Sequence, residues 1–283
     1  MRNVVKKETI QLKYPKYYRQ RYVMTLLQNL ENDLKWTEFQ EILFLSQRKT
    51  EVFYYDFISS AQGWYSFQAV NDLEVLRHSG WLEIENDHIR VLHNLPHEKG
   101  LKQAEALKVL FFARGKKYRQ EHLFPSNLAE QNRIKYFDGD PVLFTIGYEG
   151  ISFEQYVNRL MEQDVGLLCD VRRNPISRKF GFSKGKLLEL LPKVGIEYLH
   201  IPELGIASGS RKTLHTTSDY QLLFAAYRKE MCEKKEHISK ITKLMSQYGR
   251  LALTCFEEKP SFCHRHCISD YLKKKNNLRV VHL

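Results

Sequence analysis

From residue 142 to the end of the chain, short uninterrupted apolar runs alternate with stretches of helical period, and few architectures accept that pattern. Val142 to Ile146, Gly166 to Asp170 and Leu251 to Cys255 each read as a strand without the alternating polar positions of a half-exposed sheet, and Ile196 to His200 and Leu278 to Val281 supply two more strands. Strands buried on both faces belong to parallel sheets, whose crossover connections are usually helices. Helices are expected from Ser152 past Leu160, from Ser183 through Leu191, and as one long element from Asp219 to Tyr248. Residues 141–283 are therefore predicted to form an α/β domain with a mostly parallel sheet and helices on both faces.

The first half has another pattern. Apolar residues recur at helical spacing from Tyr17 to Leu30, and a second helix is expected to start at Thr37, whose hydroxyl can cap it. Val52 to Ile58 looks extended until Gly63 breaks it, and Ser66 caps a third helix that stops at Gly80. Trp81 to Ile84 and His88 to Leu92 then flank Asn86-Asp87, a good hairpin turn. Helix, helix, helix and hairpin is the order of a winged helix. The run from Tyr55 through Gly63-Trp-Tyr-Ser66 to Leu82 also resembles the winged-helix-like modules of some bacterial DNA-associated and toxin-antitoxin proteins. The expected organisation is a mainly helical, winged-helix-like domain at 1–95, a helical basic linker at 96–140, and a Rossmann-like α/β catalytic-type domain at 141–283.

A chain of 283 residues, 43% hydrophobic, can build cores for one large domain or two modest ones. Its net charge of +11 accompanies 12% aromatic residues, so it is not a charged disordered chain. A basic folded protein rich in Tyr and Phe fits a polyanion, and double-stranded DNA is the expected partner. Docking to protein is the competing use of the first domain, and a homodimer is left open. Arg48, Lys49, Arg77 and Arg90 are the candidate backbone contacts, with Arg77 on the third helix. Lys116 and Lys117, in the basic run Arg114 to Arg119, would extend that track. No run reaches the roughly 18 apolar residues of a membrane span, and Met1 to Lys7 leads into no apolar signal core, so a cytoplasmic protein is expected. Five cysteines without scaffold spacing should be mostly reduced thiols.

Four ordered segments carry a family resemblance: Thr145-Ile-Gly-Tyr-Glu-Gly150; Asp170-Val-Arg-Arg-Asn-Pro175 with Ser177-Arg178; Tyr198-Leu-His-Ile-Pro-Glu-Leu-Gly205; and Leu253-Thr-Cys-Phe-Glu257 with Pro260 and Cys263-His-Arg265. This set resembles the bacterial and archaeal family called domain of unknown function 488. The resemblance implies a small α/β domain with a polar pocket built from these loops. His266 and Cys267 depart from the pattern expected of the family.

Glu149, Asp170 and Glu257 each fall at a strand end or just after it, so three acids are expected to converge beside Tyr148 and Tyr198. Paired carboxylates of unequal pKa perform acid and base work or stabilise an oxocarbenium-like sugar. Arg172, Arg178 and Arg265, with Ser177 and His264, are expected to bind substrate and phosphate. A buried ion-pair network that fixes the loops is the competing account.

Cys255, Cys263, His264, His266 and Cys267 are soft ligands, yet no second Cys-x2-Cys knuckle accompanies them, and neither metal nor cofactor is expected. Cys255 could instead be an activated thiolate with His264 as its base, and Asp170-Val-Arg172 has a faint likeness to the early strand of rhodanese sulfurtransferases. A small buried hydrophobe is the plainer role for that cysteine. Gly205 to Lys212, rich in small residues and ending in two cations, could admit a phosphate to its backbone amides or form a lid. The leading expectation is a DNA-directed enzyme acting on a nucleotide or modified base by N-glycosidic cleavage or exchange, in defence against foreign DNA. A thiol-dependent sulfurtransferase and a non-catalytic DNA-binding regulator that senses a nucleotide-like ligand are the alternatives.

Overall fold

Two units make up the chain, Met1–Pro125 and Ser126–Leu283. The computed structural model describes residues 12–30, 34–60, 63–96, 100–114, 139–207, 209, 214 and 216–283.

In the first unit the order is α1 (Tyr18–Leu27), β1 (Leu34–Lys35), α2 (Trp36–Thr50), β2 (Ile58–Ser60), β3 (Gly63–Tyr65), α3 (Phe67–His78), β4 (Leu82–Glu85), β5 (His88–Val91) and α4 (Gln103–Arg114). The Ser66 hydroxyl accepts from the Ala69 N–H at 3.2 Å and starts α3 as expected. Asn86 and Asp87 both take positive φ, 49° and 65°, which a two-residue hairpin requires. β5 lies between β4 and β1, antiparallel to both. The two-residue strand β1 is too short to show a period, and sequence reading missed it. Helix α2 begins at Trp36 with Lys35 as its N-cap, so Thr37 falls inside the first turn instead of capping it.

The stretch read as extended from Val52 is a strand only from Ile58, and Gly63 begins a strand instead of ending one. The reason is a side chain from the preceding helix. Gln47 accepts from the Tyr54 and Tyr55 N–H groups at 2.7 and 2.8 Å and donates to the Tyr55 carbonyl at 2.9 Å, so a side chain takes the place of a neighbouring strand. Val109 and Ala113 of α4 are buried with Met24, Leu26, Phe39, Leu43 and Leu73. The helix in the stretch read as a linker thus contributes to the first unit's core.

The second unit runs β6 (Val142–Gly147), α5 (Phe153–Met161), β7 (Leu167–Asp170), α6 (Lys184–Leu190), β8 (Glu197–His200), α7 (Thr217–Glu230), α8 (Lys235–Tyr248), β9 (Arg250–Cys255), α9 (Arg265–Asn276) and β10 (Arg279–His282). All neighbouring strands are parallel, in the order β10-β6-β9-β7-β8. Successive strand residues face opposite sides. On β9, Leu251 and Leu253 pack with Ile241, Met245, Ile268 and Leu272. Thr254, facing the other way, accepts from the Tyr156 hydroxyl of α5 at 2.7 Å. Helices therefore cover both faces, as the uninterrupted apolar strands predict.

Two details differ from expectation. Ser183 occupies the N-cap position of α6, but its side chain makes no capping bond. The single helix expected from Asp219 to Tyr248 is two, joined by i to i+3 hydrogen bonds from Glu233 to Glu230 and from Lys234 to Met231. No Gly or Pro forces that break. Phe224, Tyr227 and Met231 on one side of it, and Ile238, Ile241 and Met245 on the other, all enter one core, and tertiary packing has overridden local helix preference.

Register decides what the sheet presents at its carboxyl edge. Gly147 lies opposite Cys255, and Asp170 lies opposite both Thr254 and His200. Ile146, Thr254, Asp170 and His200 thus stand in one row, β6 and β9 run one residue further, and the loops after all four strands share one edge of the sheet.

Candidate functional site

Those loops are held by close backbone approach. A Cβ on Gly147 would lie 1.8 Å from the Glu257 carbonyl oxygen, and one on Gly205 would lie 2.2 Å from the Arg173 nitrogen. Only glycine lets these segments touch. The N–H groups of Tyr148 and Glu149 both donate to the Phe256 carbonyl, at 3.1 and 2.9 Å, which ties the turn after β6 to the loop after β9.

At the centre is a buried ion pair. Asp170, 0% exposed, accepts from the Arg172 backbone N–H at 3.0 Å, from its Nε at 2.8 Å and from its Nη2 at 2.5 Å. The Tyr198 hydroxyl donates to the same carboxylate at 2.8 Å. Arg172 Nη1 donates to the Tyr148 hydroxyl at 2.8 Å and to the Phe182 carbonyl at 2.9 Å. Burial opposes the Arg172 charge, but the Asp170 bond and charge outweigh it, so its proton is held more tightly than usual. Burial, reinforced by the Asp170 charge, raises the Tyr198 hydroxyl pKa, so it stays a proton donor.

Beside this pair lies a cavity of about 420 Å³. Arg172, Arg173, Asn174, Ser177 and Arg178 supply its polar wall; Tyr148, Phe256, Ile176 and Ile206 supply its apolar wall, and Cys255 closes it. The Tyr148 ring stacks on Phe182 at 4.3 Å between centroids and meets Phe256 edge to face at 5.3 Å, so the aromatic wall is braced from behind. Lys179 donates to the Tyr148 carbonyl at 2.9 Å, and burial lowers its pKa, with Glu149 opposing in part.

The three acids do not share this wall. Asp170 is engaged by Arg172 and Tyr198 behind it. Glu149 is exposed and accepts from the Glu258 N–H at 3.1 Å. Glu257 stands next to the cavity, its Oε2 3.2 Å from the Cys255 sulfur. Arg265, expected to bind phosphate, is 0% exposed; its guanidinium donates to the Glu257 carbonyl, to the Glu258 carbonyl at 2.6 Å and to Thr145 Oγ1 at 3.4 Å. It fixes the loop after β9 from within. Tyr198 likewise faces Asp170, whereas Tyr148, Arg172, Ser177, Arg178 and Cys255 reach the cavity as expected. Arg173, Asn174 and Phe256 also line it. Sequence reading quoted them within motifs without singling them out, because side-chain direction in a loop has no period to read.

The thiol group is compact. Cys255, Cys263 and His264 are buried, and their Sγ, Sγ and Nδ1 atoms lie within 4.8 Å of one another. Cys255 and Cys263 sulfurs are 3.7 and 3.9 Å from His264 Nδ1, while His264 Nε2 is 2.9 Å from the Val171 carbonyl oxygen. Burial, followed by the neighbouring Cys255, raises the Cys263 thiol well above its ordinary pKa. His266 and Cys267 point elsewhere: His266 contacts the Cys263 carbonyl and Arg228, and Cys267 joins the apolar core.

In the first unit, Arg48 and Lys49 are exposed in the last turn of α2, with the Arg48 guanidinium 5.3 Å from the Phe44 ring centre. Arg77, in the last turn of α3, donates to Glu74 at 2.8 and 2.9 Å, and Arg90 donates to Glu83 at 2.7 Å across the hairpin. Lys116 and Lys117 lie outside the described residues, as do Ser208, Ser210, Arg211 and Lys212 of the proposed phosphate loop. No helix among the described residues is long and apolar enough to cross a membrane.

Residues 152–272 match the family model described as domain of unknown function DUF488. The chain has no significant match among curated proteins or among solved structures.

Proposed function

From the premise that residues 152–272 form a DUF488 domain, we propose that this chain is a DNA-directed enzyme whose α/β unit takes one nucleotide into the cavity and cleaves or exchanges its N-glycosidic bond. The observation that carries this reading is the make-up of the cavity, whose lining combines guanidiniums and amide or hydroxyl groups with two aromatic rings. Arg173 and Arg178 suit phosphate oxygens, with Asn174 and Ser177 beside them. Tyr148 and Phe256 suit a base. In this reading Asp170 acts through Arg172, which it orients, and Glu257, whose Oε2 is 3.2 Å from the sulfur of the cavity-lining Cys255, is assigned the carboxylate role at the ribosyl centre. Duplex DNA would have to present the nucleotide flipped out of the stack.

A winged-helix-like reader in the first unit is part of the proposal. Its support is the order α1, β1, α2, α3, β4, β5, interrupted between α2 and α3 by the small β2-β3 hairpin, with β5 between β4 and β1, and the cationic residues Arg77 on α3 and Arg90 on the β4-β5 hairpin. Surface pairs such as Arg77 with Glu74 are worth little in water, so either arginine can exchange its carboxylate for phosphate. Action on modified bases of foreign DNA would give both units one purpose.

Sulfur transfer is the second reading, favoured by one observation: Cys255 faces the cavity and has an imidazole nitrogen 3.7 Å away. Incubating the protein with plasmid and with phage DNA carrying modified bases, then weighing the released small molecules, separates the readings. N-glycosidic cleavage predicts a free base from the wild type and none from Glu257→Gln. Sulfur transfer predicts no base and a sulfur-atom mass gain on Cys255 after exposure to a sulfur donor. Tight, salt-sensitive DNA binding with neither product would leave a ligand-sensing regulator.

A further inference from the structure

Beside the cavity, Cys255, Cys263 and His264 are buried together, and each turns one possible ligand atom toward the others, all within 4.8 Å. We propose that Cys255 Sγ, Cys263 Sγ and His264 Nδ1 bind a thiophilic divalent cation, zinc in the first instance.

Distance is the first argument. With Zn–S near 2.3 Å and Zn–N near 2.0–2.1 Å, adjacent sulfur and nitrogen ligands of a tetrahedron stand about 3.6 Å apart. The Cys255 and Cys263 sulfurs lie 3.7 and 3.9 Å from His264 Nδ1. Small rotations of the side chains would close the set.

Protonation is the second. The Val171 carbonyl oxygen 2.9 Å from His264 Nε2 can only accept a hydrogen bond, so Nε2 carries the ring proton. Nδ1 then presents its lone pair to both sulfurs, whose thiols can donate to it from 3.7 and 3.9 Å. A metal-binding histidine commonly has its other nitrogen held in this way by a carbonyl or carboxylate, which fixes tautomer and ring direction.

Placement and charge follow. Cys255 ends β9, Cys263 follows the 3-10 turn Pro260–Phe262 with its N–H on the Pro260 carbonyl at 2.9 Å, and His264 precedes α9. Two of the three therefore sit at the ends of a strand and a helix, which favours a preformed site. Binding would release one proton from each thiol, and two thiolates with a divalent ion sum to zero charge, which a buried site tolerates far better than isolated ions. The sequence offers five soft ligands here, and the fold selects three, since His266 and Cys267 turn away. Three protein ligands leave one position, open to an oxygen from water or from Glu257, whose Oε2 is 3.2 Å from the Cys255 sulfur. Cys255 also lines the cavity, so the ion would sit on the cavity wall. The proposal goes beyond the nucleotide reading and stands independently of it, because metal content is read without any substrate.

The test is elemental analysis of the full chain purified from zinc-supplemented cells under reducing conditions without chelator. About one zinc per chain is expected, falling at least tenfold in Cys255→Ser and Cys263→Ala and unchanged in Cys232→Ser. Because a buried substitution can unfold the protein, the wild type is also stripped and titrated with cobalt(II), which should produce thiolate-to-metal absorption and the strong visible bands of tetrahedral coordination. A folded wild type that is metal-free and gives no thiolate absorption with cobalt(II) would overturn the proposal. So would zinc that persists in both cysteine variants.

Discussion

Asp170 shows how much a side chain's neighbours decide. The same carboxylate that reads as an acid at a strand end is, once folded, the anchor of Arg172 and the acceptor of the Tyr198 hydroxyl. Removing one partner of a buried pair leaves the other uncompensated, so Asp170→Asn should lower unfolding free energy by about 3–5 kcal/mol, against about 1 kcal/mol for Tyr198→Phe. Urea denaturation at pH 7 measures both; equal small effects would mean that the pair contributes nothing. The neighbouring Cys169 supplies a pH signature. Burial pushes its thiol from 9.0 to about 12. The folded state keeps it protonated, so its contribution is complete below pH 9 and is lost as pH rises from 9 toward 12. Cys169→Ala should flatten the fall of stability across that window, and an unchanged slope would show that the thiol is not responsible.

At the scale of elements, the parallel sheet was legible because β6, β7 and β9 are apolar runs that a half-exposed strand could not tolerate, whereas β8 and β10 are the half-exposed edges. The caps at Ser66 and Ser152 and the Asn86-Asp87 turn were legible for the same kind of local reason. What escaped was non-local: Gln47 standing in for a strand, the break between α7 and α8, and the directions of side chains in the loops after β6, β7 and β9. The motif residues were found, but which of them reach the cavity depends on contacts such as Gly205 against Arg173. That contact is testable by itself. Gly205→Ala must push the Arg173 backbone away from a Cβ that would otherwise lie 2.2 Å from its nitrogen, so a stability loss of about 1–3 kcal/mol is expected, with weaker ligand binding. Full stability and unchanged binding in that variant would mean that the loop is not held there.

For the whole molecule, the proposed DNA partner would be attracted at long range by the net charge of +11, and Arg77 and Arg90 are the residues proposed to set register. Affinity for duplex DNA should fall steeply with salt, and Arg77→Ala or Arg90→Ala should each reduce the slope of log affinity against log salt by about 1. Slopes that do not change would assign these arginines to their Glu74 and Glu83 partners alone. The central claim, however, concerns the cavity of the α/β unit. Calorimetric titration of the full chain with a deoxynucleoside 5′-monophosphate and with the matching nucleoside tests it most directly. If Arg178 of the cavity lining binds phosphate as proposed, the monophosphate binds at least about tenfold more tightly, and Arg178→Ala removes the difference. Equal affinity for both ligands, or a preference that survives Arg178→Ala, would contradict the account.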